Sequence, residues 1–265
     1  MLLQLNIRNC FNKYFLILFF YLILRKFKSL FNNKKFTNNY DKLYSKKSIS
    51  LKKFLKNQKI NLSKNSYQKK IKNFDRQIKH YFNTINKFKK KSNLAKNHGG
   101  PGNIILIDIL TELPRVQSVL ETGVGLGYST STILSNLSKK KGSLTSVDIP
   151  YLNVKNLNYL GYVIKKSLKK KWNLILGIDY YVLKTLQIQK KKFDLVIYDS
   201  DKSYNGRLNC YELMWKMLNK KGYFITDDAA DNDAFIDFAK KKNRKYFIIK
   251  KFKADGGYSG IIIKN

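Results

Sequence analysis

The chain has 265 residues, 43% of them hydrophobic, which suits one medium α/β domain with an extension and excludes a globally disordered polypeptide. Cys10 and Cys210 lie far apart without CxxC spacing, which excludes a disulfide framework and a cysteine zinc site and fits a reducing, cytoplasmic compartment. The net charge of +36 is concentrated early: residues 1–97 hold 25 Lys and Arg, against Asp41 and Asp75 as their acids.

Two readings of the basic excess stay open. One is an arm for an anionic membrane or a nucleic acid. The other is a bias toward Lys, Asn, Ile, Tyr and Phe that runs through the whole chain. Lys far outnumbers Arg, and Arg is the better bidentate reader of phosphates and bases, so a specific nucleic-acid partner is not expected.

Tyr14–Leu24 is an unbroken apolar run, preceded by Lys13 and followed by Arg25, Lys26 and Lys28. As a helix it would be about 16 Å long, against about 30 Å for a bilayer core. No small-residue cleavage site follows it. It reads either as an interfacial, signal-anchor-like helix with snorkelling lysines, holding residues 1–31 at a membrane, or as a helix packed on the domain. Residues 32–97 read as a Lys-rich linker passing into a helical extension. The linker is polar up to residue 66, whereas Ile71, Phe74, Ile78, Phe82, Ile85 and Phe88 then recur at helical spacing. His80 and His98 have no metal-binding neighbour in sequence and carry no assigned role.

His98-Gly-Gly-Pro-Gly102 breaks the pattern and opens the third region, residues 98–265. There helices and short apolar strands alternate. Helices are expected over 104–113, 130–137, 156–169, 181–186, 207–218 and 233–241. Strands are expected over 118–121, 143–148, 174–176, 193–198, 223–226, 246–252 and 260–263. Such alternation requires a mostly parallel, doubly wound sheet with helices on both faces. The last two strands have no helix between them, so they form an antiparallel edge. The expected fold class is α/β: a Rossmann-like, seven-stranded sheet with an antiparallel last strand and a basic helical N-terminal extension.

The strongest local signal is Val119-Leu-Glu-Thr-Gly-Val-Gly-Leu-Gly127-Tyr-Ser129. A strand runs into Glu121, then into Gly123, Gly125 and Gly127, then into a helix. Glycines permit a sharp turn and close backbone approach to a ligand, and the helix start points N–H groups at it. The spacing differs from the dinucleotide fingerprint, which counts against an NAD enzyme. Glu121 would repel a pyrophosphate but suits a ligand carrying an ammonium or sulfonium. Asp148, ending the next strand, is placed to accept ribose hydroxyls.

These residues resemble the class I S-adenosylmethionine-dependent methyltransferase family, and the resemblance runs in unbroken order from about residue 100 to 265. LETGVGLGYST is similar to the family's first motif, LTSVDIP to its ribose-binding acid, and LILGIDYYVLKTL to the segment passing the adenine. FDLVIYDSDKSY and LNKKGYFITDDA are similar to the two strands that follow. The resemblance implies S-adenosyl-L-methionine as cofactor. Glu121, Gly123, Gly125, Gly127, Tyr128 and Ser129 would face its methionine part and Asp148 its ribose. Gly177 and Asp179 would face the adenine edge, and Asp199 would complete the site.

In this fold the strands carrying Asp199 and Asp201 and carrying Asp227 and Asp228 are neighbours. Carboxylates crowded at two strand ends repel unless a positive charge sits among them, and Mg²⁺ or a similar cation is a natural partner. The arrangement resembles metal-dependent O-methyltransferases, in particular the macrocin-type sugar enzymes. That implies Asp199, Asp227 and Asp228 as metal ligands and Asp201 as general base. Lys202 stands where related proteins often carry His, as a clamp or perturbed base. The activity so implied is O-methylation of a small-molecule or glycan hydroxyl. The alternatives are a metal-independent methyltransferase acting on another nucleophile and a catalytically idle binding protein.

Overall fold

A computed structural model of the chain describes residues 37–89, 100–149, 159–252 and 257–265. The apolar run at 14–24 lies outside the described residues, and no described helix is long and apolar enough to cross a membrane.

The extension contributes helix α1 (Thr37–Lys47), strand β1 (Ser48–Ile49), helix α2 (Leu51–Asn57) and the long helix α3 (Lys64–Lys89). There follow α4 (Ile104–Glu112), β2 (Ser118–Thr122), α5 (Tyr128–Leu137), β3 (Ser143–Asp148), the short α6 (Lys166–Lys169) and β4 (Trp172–Leu176). The chain continues with α7 (Asp179–Ile188), β5 (Phe193–Tyr198), α8 (Tyr204–Met217), β6 (Leu218–Thr226), α9 (Ala234–Lys241), β7 (Tyr246–Lys250) and β8 (Tyr258–Ile263).

The described residues form one eight-stranded sheet in the order β1-β7-β8-β6-β5-β2-β3-β4. β8 runs antiparallel to both β6 and β7, and the other pairings are parallel. The order reverses between β2 and β5, and at such a switch point the strand ends part to leave a crevice. The sheet has one strand more than the seven expected. The extra strand is β1, whose Ser48 and Ile49 align with Ile248 and Ile249 of β7.

Successive strand residues feed opposite faces, as the two-residue period requires. Val119, Leu195, Tyr223 and Ile261 join α2, α3, α4 and α5 on one face. Leu120, Val196, Phe224 and Ile262 join α1, α7, α8 and α9 on the other. Both faces are therefore covered, which explains the near-continuous apolar runs of the central strands.

Two expectations are revised. Residues 37–57 are not a linker: Ser50 caps α2 by accepting the Lys53 N–H at 3.2 Å, and Tyr44, Leu51, Phe54 and Leu55 are buried. Phe54 packs edge-on against Phe247 of β7, with ring centroids 5.2 Å apart. The helix expected over 156–169 is, within the described residues, only α6. Gly161 has φ +64°, its N–H bonds Gly125 O at 2.9 Å, and the Val163 N–H bonds Leu126 O at 3.1 Å. This stretch spends its backbone groups on the Gly turn instead of on a helix.

Candidate active site

The C-terminal ends of β2, β3, β5 and β6 open into a cavity of about 540 Å³. One end is walled by the Gly turn, Asp148, Ile149 and the Gly177–Asp179 segment. The other is walled by Gly100–Asn103, Asp227, Asp228 and Lys251, with Asp199, Asp201 and Lys202 also on the lining.

Gly123, Gly125 and Gly127 all have positive φ, at +80°, +51° and +89°. A Cβ at Gly123 would collide with the Asp199 carbonyl oxygen, and one at Gly127 would lie 2.8 Å from Gly161 Cα. Gly125 by contrast has nothing within 4 Å of its Cβ position, so the space on that side is open to a ligand.

Asp148 stands beneath this turn. Its Oδ2 accepts the Val124 and Gly125 N–H groups at 2.7 and 3.1 Å, and its Oδ1 accepts the Ile149 N–H at 2.7 Å. Burial raises its pKa, and these three backbone donors oppose the rise. A carboxylate oxygen carries two acceptor sites, so Oδ1 keeps capacity for a ribose hydroxyl.

Glu121 is among the residues lining the cavity, and hydroxyl groups hold its carboxylate. It is fully buried under the turn. Its Oε1 accepts the Ser129 hydroxyl at 2.5 Å, and its Oε2 accepts those of Thr130 and Ser146 at 2.7 and 2.9 Å. Burial pushes its carboxyl up to about 7 against these hydrogen bonds. Glu121 thus ties β2, β3 and the start of α5 together, and Ser129 serves this tie. Tyr128 lines the cavity while its hydroxyl meets His80 Nδ1 at 2.7 Å and Thr84 Oγ1 at 3.4 Å. Asp179 accepts the Ser200 hydroxyl at 2.6 Å and the Tyr198 hydroxyl at 3.2 Å, locking the Gly177–Asp179 segment to the end of β5.

Asp199, Asp227 and Asp228 come together as expected, each offering an oxygen within 4.8 Å of the others. Two lysines stand among them. Lys202 bonds Asp199 Oδ1 and lies 3.1 Å from Asp228 Oδ2. Lys251 donates to Asp228 Oδ1 at 2.6 Å and to Asp227 Oδ2 at 2.7 Å. The Ser259 hydroxyl donates to Asp227 Oδ1 at 3.0 Å. The result is a row of alternating charge, Asp199–Lys202–Asp228–Lys251–Asp227. Burial would lower both lysines, but the neighbouring carboxylates hold them above the usual ammonium range. Against burial, the same two ammoniums hold Asp228 below the usual carboxylate range. Burial pushes Asp199 up to about 7; Lys202 opposes the rise, and Asp227 and Asp228 add to it.

Asp201 is turned to the start of α8, where its Oδ1 accepts the Ser203 N–H at 2.9 Å. Asp228 has φ +46° and precedes the 3₁₀ turn Ala229–Asp231 without a side-chain cap bond, so it faces the lysines and not the helix-cap role that its position suggests. Lys251 and Ser259 carried no sequence signal. They lie on and beside the hairpin of β7 and β8 and reach Asp227 through the tertiary fold alone.

The family described as a methyltransferase domain matches residues 120–229, a span holding the Gly turn, Asp148, Asp199 and the Asp227–Asp228 pair. No curated protein matches the chain. Among solved structures, an O-methyltransferase from Bacillus cereus in complex with SAH superposes with a TM-score of 0.55 at 17% identity. That superposition covers 70% of this chain and 91% of the other. The O-methyltransferase TomG from Streptomyces achromogenes, involved in tomaymycin synthesis and solved in complex with SAM, gives 0.48 at 17% identity, over 60% and 78% of the two chains. Residues 120–229 are thus similar to a methyltransferase domain, and the sheet that holds them shares the fold of the Bacillus cereus structure.

Proposed function

We propose that the protein is an S-adenosylmethionine-dependent methyltransferase acting on a hydroxyl of a small molecule or glycan. The observation that carries this reading is the open cavity in which the Gly turn and Asp148 sit at one end and a charged cluster at the other. The residues present fit the cofactor. The space on the Cβ side of Gly125 is open, α5 begins at the turn, and Asp148 Oδ1 keeps an acceptor site. When bound, the cofactor supplies an electrophilic methyl group on a sulfonium.

The chain's own residues would then orient the acceptor and take its proton. Asp199 is the proton acceptor we favour over Asp201. It lies beside the Gly turn, its carboxyl is raised to about 7, and Asp201 is engaged at the start of α8. Lys202 remains an ammonium and stabilises the oxyanion that develops on the acceptor. Asn103, Lys202 and Lys251 give the acceptor end a polar wall, which suits a polyhydroxylated acceptor better than an apolar one.

The divalent ion implied by the resemblance does not fit the donor set. Both oxygens of Asp227 and of Asp228, and Oδ1 of Asp199, already face a lysine ammonium or the Ser259 hydroxyl. No step of the reading runs through a metal. Work at a membrane surface, through residues 14–24, is a separate proposal. Liposome flotation of the full chain against one lacking residues 1–31 tests it, and equal flotation would remove it.

Calorimetry with S-adenosylhomocysteine tests the core of the reading. Stoichiometric binding that is lost in Gly123→Val is expected. Absence of binding to the wild-type protein would favour an idle scaffold.

A further inference from the structure

We infer that Lys251 takes the place of the divalent cation in the carboxylate cluster, so that the cluster is closed by the chain's own ammonium group and binds no metal. This deepens the methyl-transfer reading and rests on it for its purpose, but its test requires neither cofactor nor acceptor.

Lys251 follows β7 directly, and its N–H bonds Gly257 O at 3.1 Å, which fixes its backbone in the β7–β8 hairpin. From there the side chain runs inward with 6% exposure and ends between Asp227 and Asp228. Its two contacts, at 2.7 and 2.6 Å, are of the length expected for charge-assisted bonds. A buried ammonium is costly unless it is paired, and here a carboxylate from each of two consecutive residues pairs it. Asp227 is almost as buried, with Ser259 on its other oxygen, so it too is satisfied without solvent or a metal.

Charge makes the same point. Three carboxylates around a divalent ion leave one net negative charge. The same three around Lys202 and Lys251 leave the same net charge. The two arrangements are electrostatic equivalents, and a divalent ion entering this one would have to displace an ammonium or sit beside it. Lys202 alone bridges Asp199 to Asp228, whereas Asp227 has Lys251 as its ion-pair partner. Lys251 is therefore the residue that makes a metal redundant. It also presents a fixed positive charge on the acceptor wall, where a metal would otherwise polarise the hydroxyl.

The experiment is Mn²⁺ binding to the full chain, followed by electron paramagnetic resonance and equilibrium dialysis. Wild type is expected to take up no stoichiometric Mn²⁺. Lys251→Met, which keeps the length and removes the charge, is expected to gain one site per chain, at least about tenfold tighter than any wild-type binding. Adding Asp227→Asn to Lys251→Met should abolish that site. Lys251→Arg should remain metal-free, as a structural role alone would not require. If Lys251→Met fails to fold, Lys251→Gln serves, with circular dichroism confirming the native state. A wild-type Mn²⁺ site that Asp227→Asn removes would overturn the inference, and so would a folded charge-removed variant that binds no more Mn²⁺ than wild type. Either result leaves binding of S-adenosylhomocysteine untouched, so failure here is distinguishable from failure of the methyltransferase reading.

Discussion

The imidazole Nδ1 of His80 lies 2.7 Å from the phenolic oxygen of Tyr128, joining the long helix α3 of the extension to the first residue of α5, directly behind the Gly turn. The rings meet edge-on, with centroids 5.8 Å apart, and Tyr81 contacts the same tyrosine from the next position of α3. The extension therefore buttresses the Gly-turn end of the cavity. Tyr128→Phe keeps the ring packing and removes the hydrogen bond. A loss of about 1 kcal/mol in denaturant unfolding, with a weakened affinity for S-adenosylhomocysteine, is the expected outcome.

The extension is also core. Phe54→Ala empties a fully buried site against Phe247 and is expected to cost about 3–5 kcal/mol, read as a fall in the urea midpoint at unchanged slope. A cost below about 1 kcal/mol would mean that α2 does not dock on β7 in solution.

Two glycines separate strain from collision. Gly125→Ala meets no atom and bears only the left-handed backbone penalty, about 1–2 kcal/mol. Gly123→Ala has the same kind of penalty and also drives a methyl group into the Asp199 carbonyl. The second variant should be clearly less stable and should lose binding of S-adenosylhomocysteine, measured by calorimetry on both proteins.

Glu121 makes stability depend on pH in a defined direction. Its folded value, about 7, lies above the ordinary 4.5. Below about pH 4.5 it is protonated in both states. As pH rises from there to about 7, the unfolded chain ionises first, so the folded state loses stability, and beyond about 7 the loss is complete. The loss is on the order of 3 kcal/mol. Glu121→Gln should flatten the unfolding free energy across this window. An unchanged slope in the variant would exclude a neutral, buried Glu121.

Much of the site was legible because its signals are local. The Gly turn, Glu121 and Asp148 lie at strand ends whose apolar runs and following helices are read within about ten residues, and β3 and β5 fall on their expected bounds. Lys251 was not legible. Its carboxylate partners are 23 and 24 positions away, and it is one of 53 basic residues in a Lys-rich chain. Residues 37–57 were misread for a related reason. Their charged surface residues mask Tyr44, Leu51, Phe54 and Leu55, whose helices pack on β7 and on the Ala229–Asp231 turn far along the chain. The orientation of Asp201 toward α8 follows from its bond to the backbone N–H of Ser203, which the sequence shows only once Ser203 is known to cap that helix.

For methyl transfer, once an acceptor is found, Asp199→Asn is expected to lower kcat by about 10²–10⁴, and wild-type activity should fall as pH drops below about 7. Asp201→Asn, whose amide oxygen can still accept the Ser203 N–H, should stay within about tenfold of wild type with little change in melting temperature. The reverse pattern would return the proton-accepting role to Asp201.

The parallel pairing of Ser48 and Ile49 with Ile248 and Ile249 has a consequence for synthesis. The partners are separated by roughly 200 residues, so a chain growing at about 5–20 residues per second makes β1 many seconds before β7 exists to receive it. Until then Phe54 lacks Phe247, its partner ring on β7, and β1 lacks its partner strand. The docking of β1 must therefore wait for β7, and it covers the outer edge of that strand, which would otherwise offer free backbone groups to a second chain.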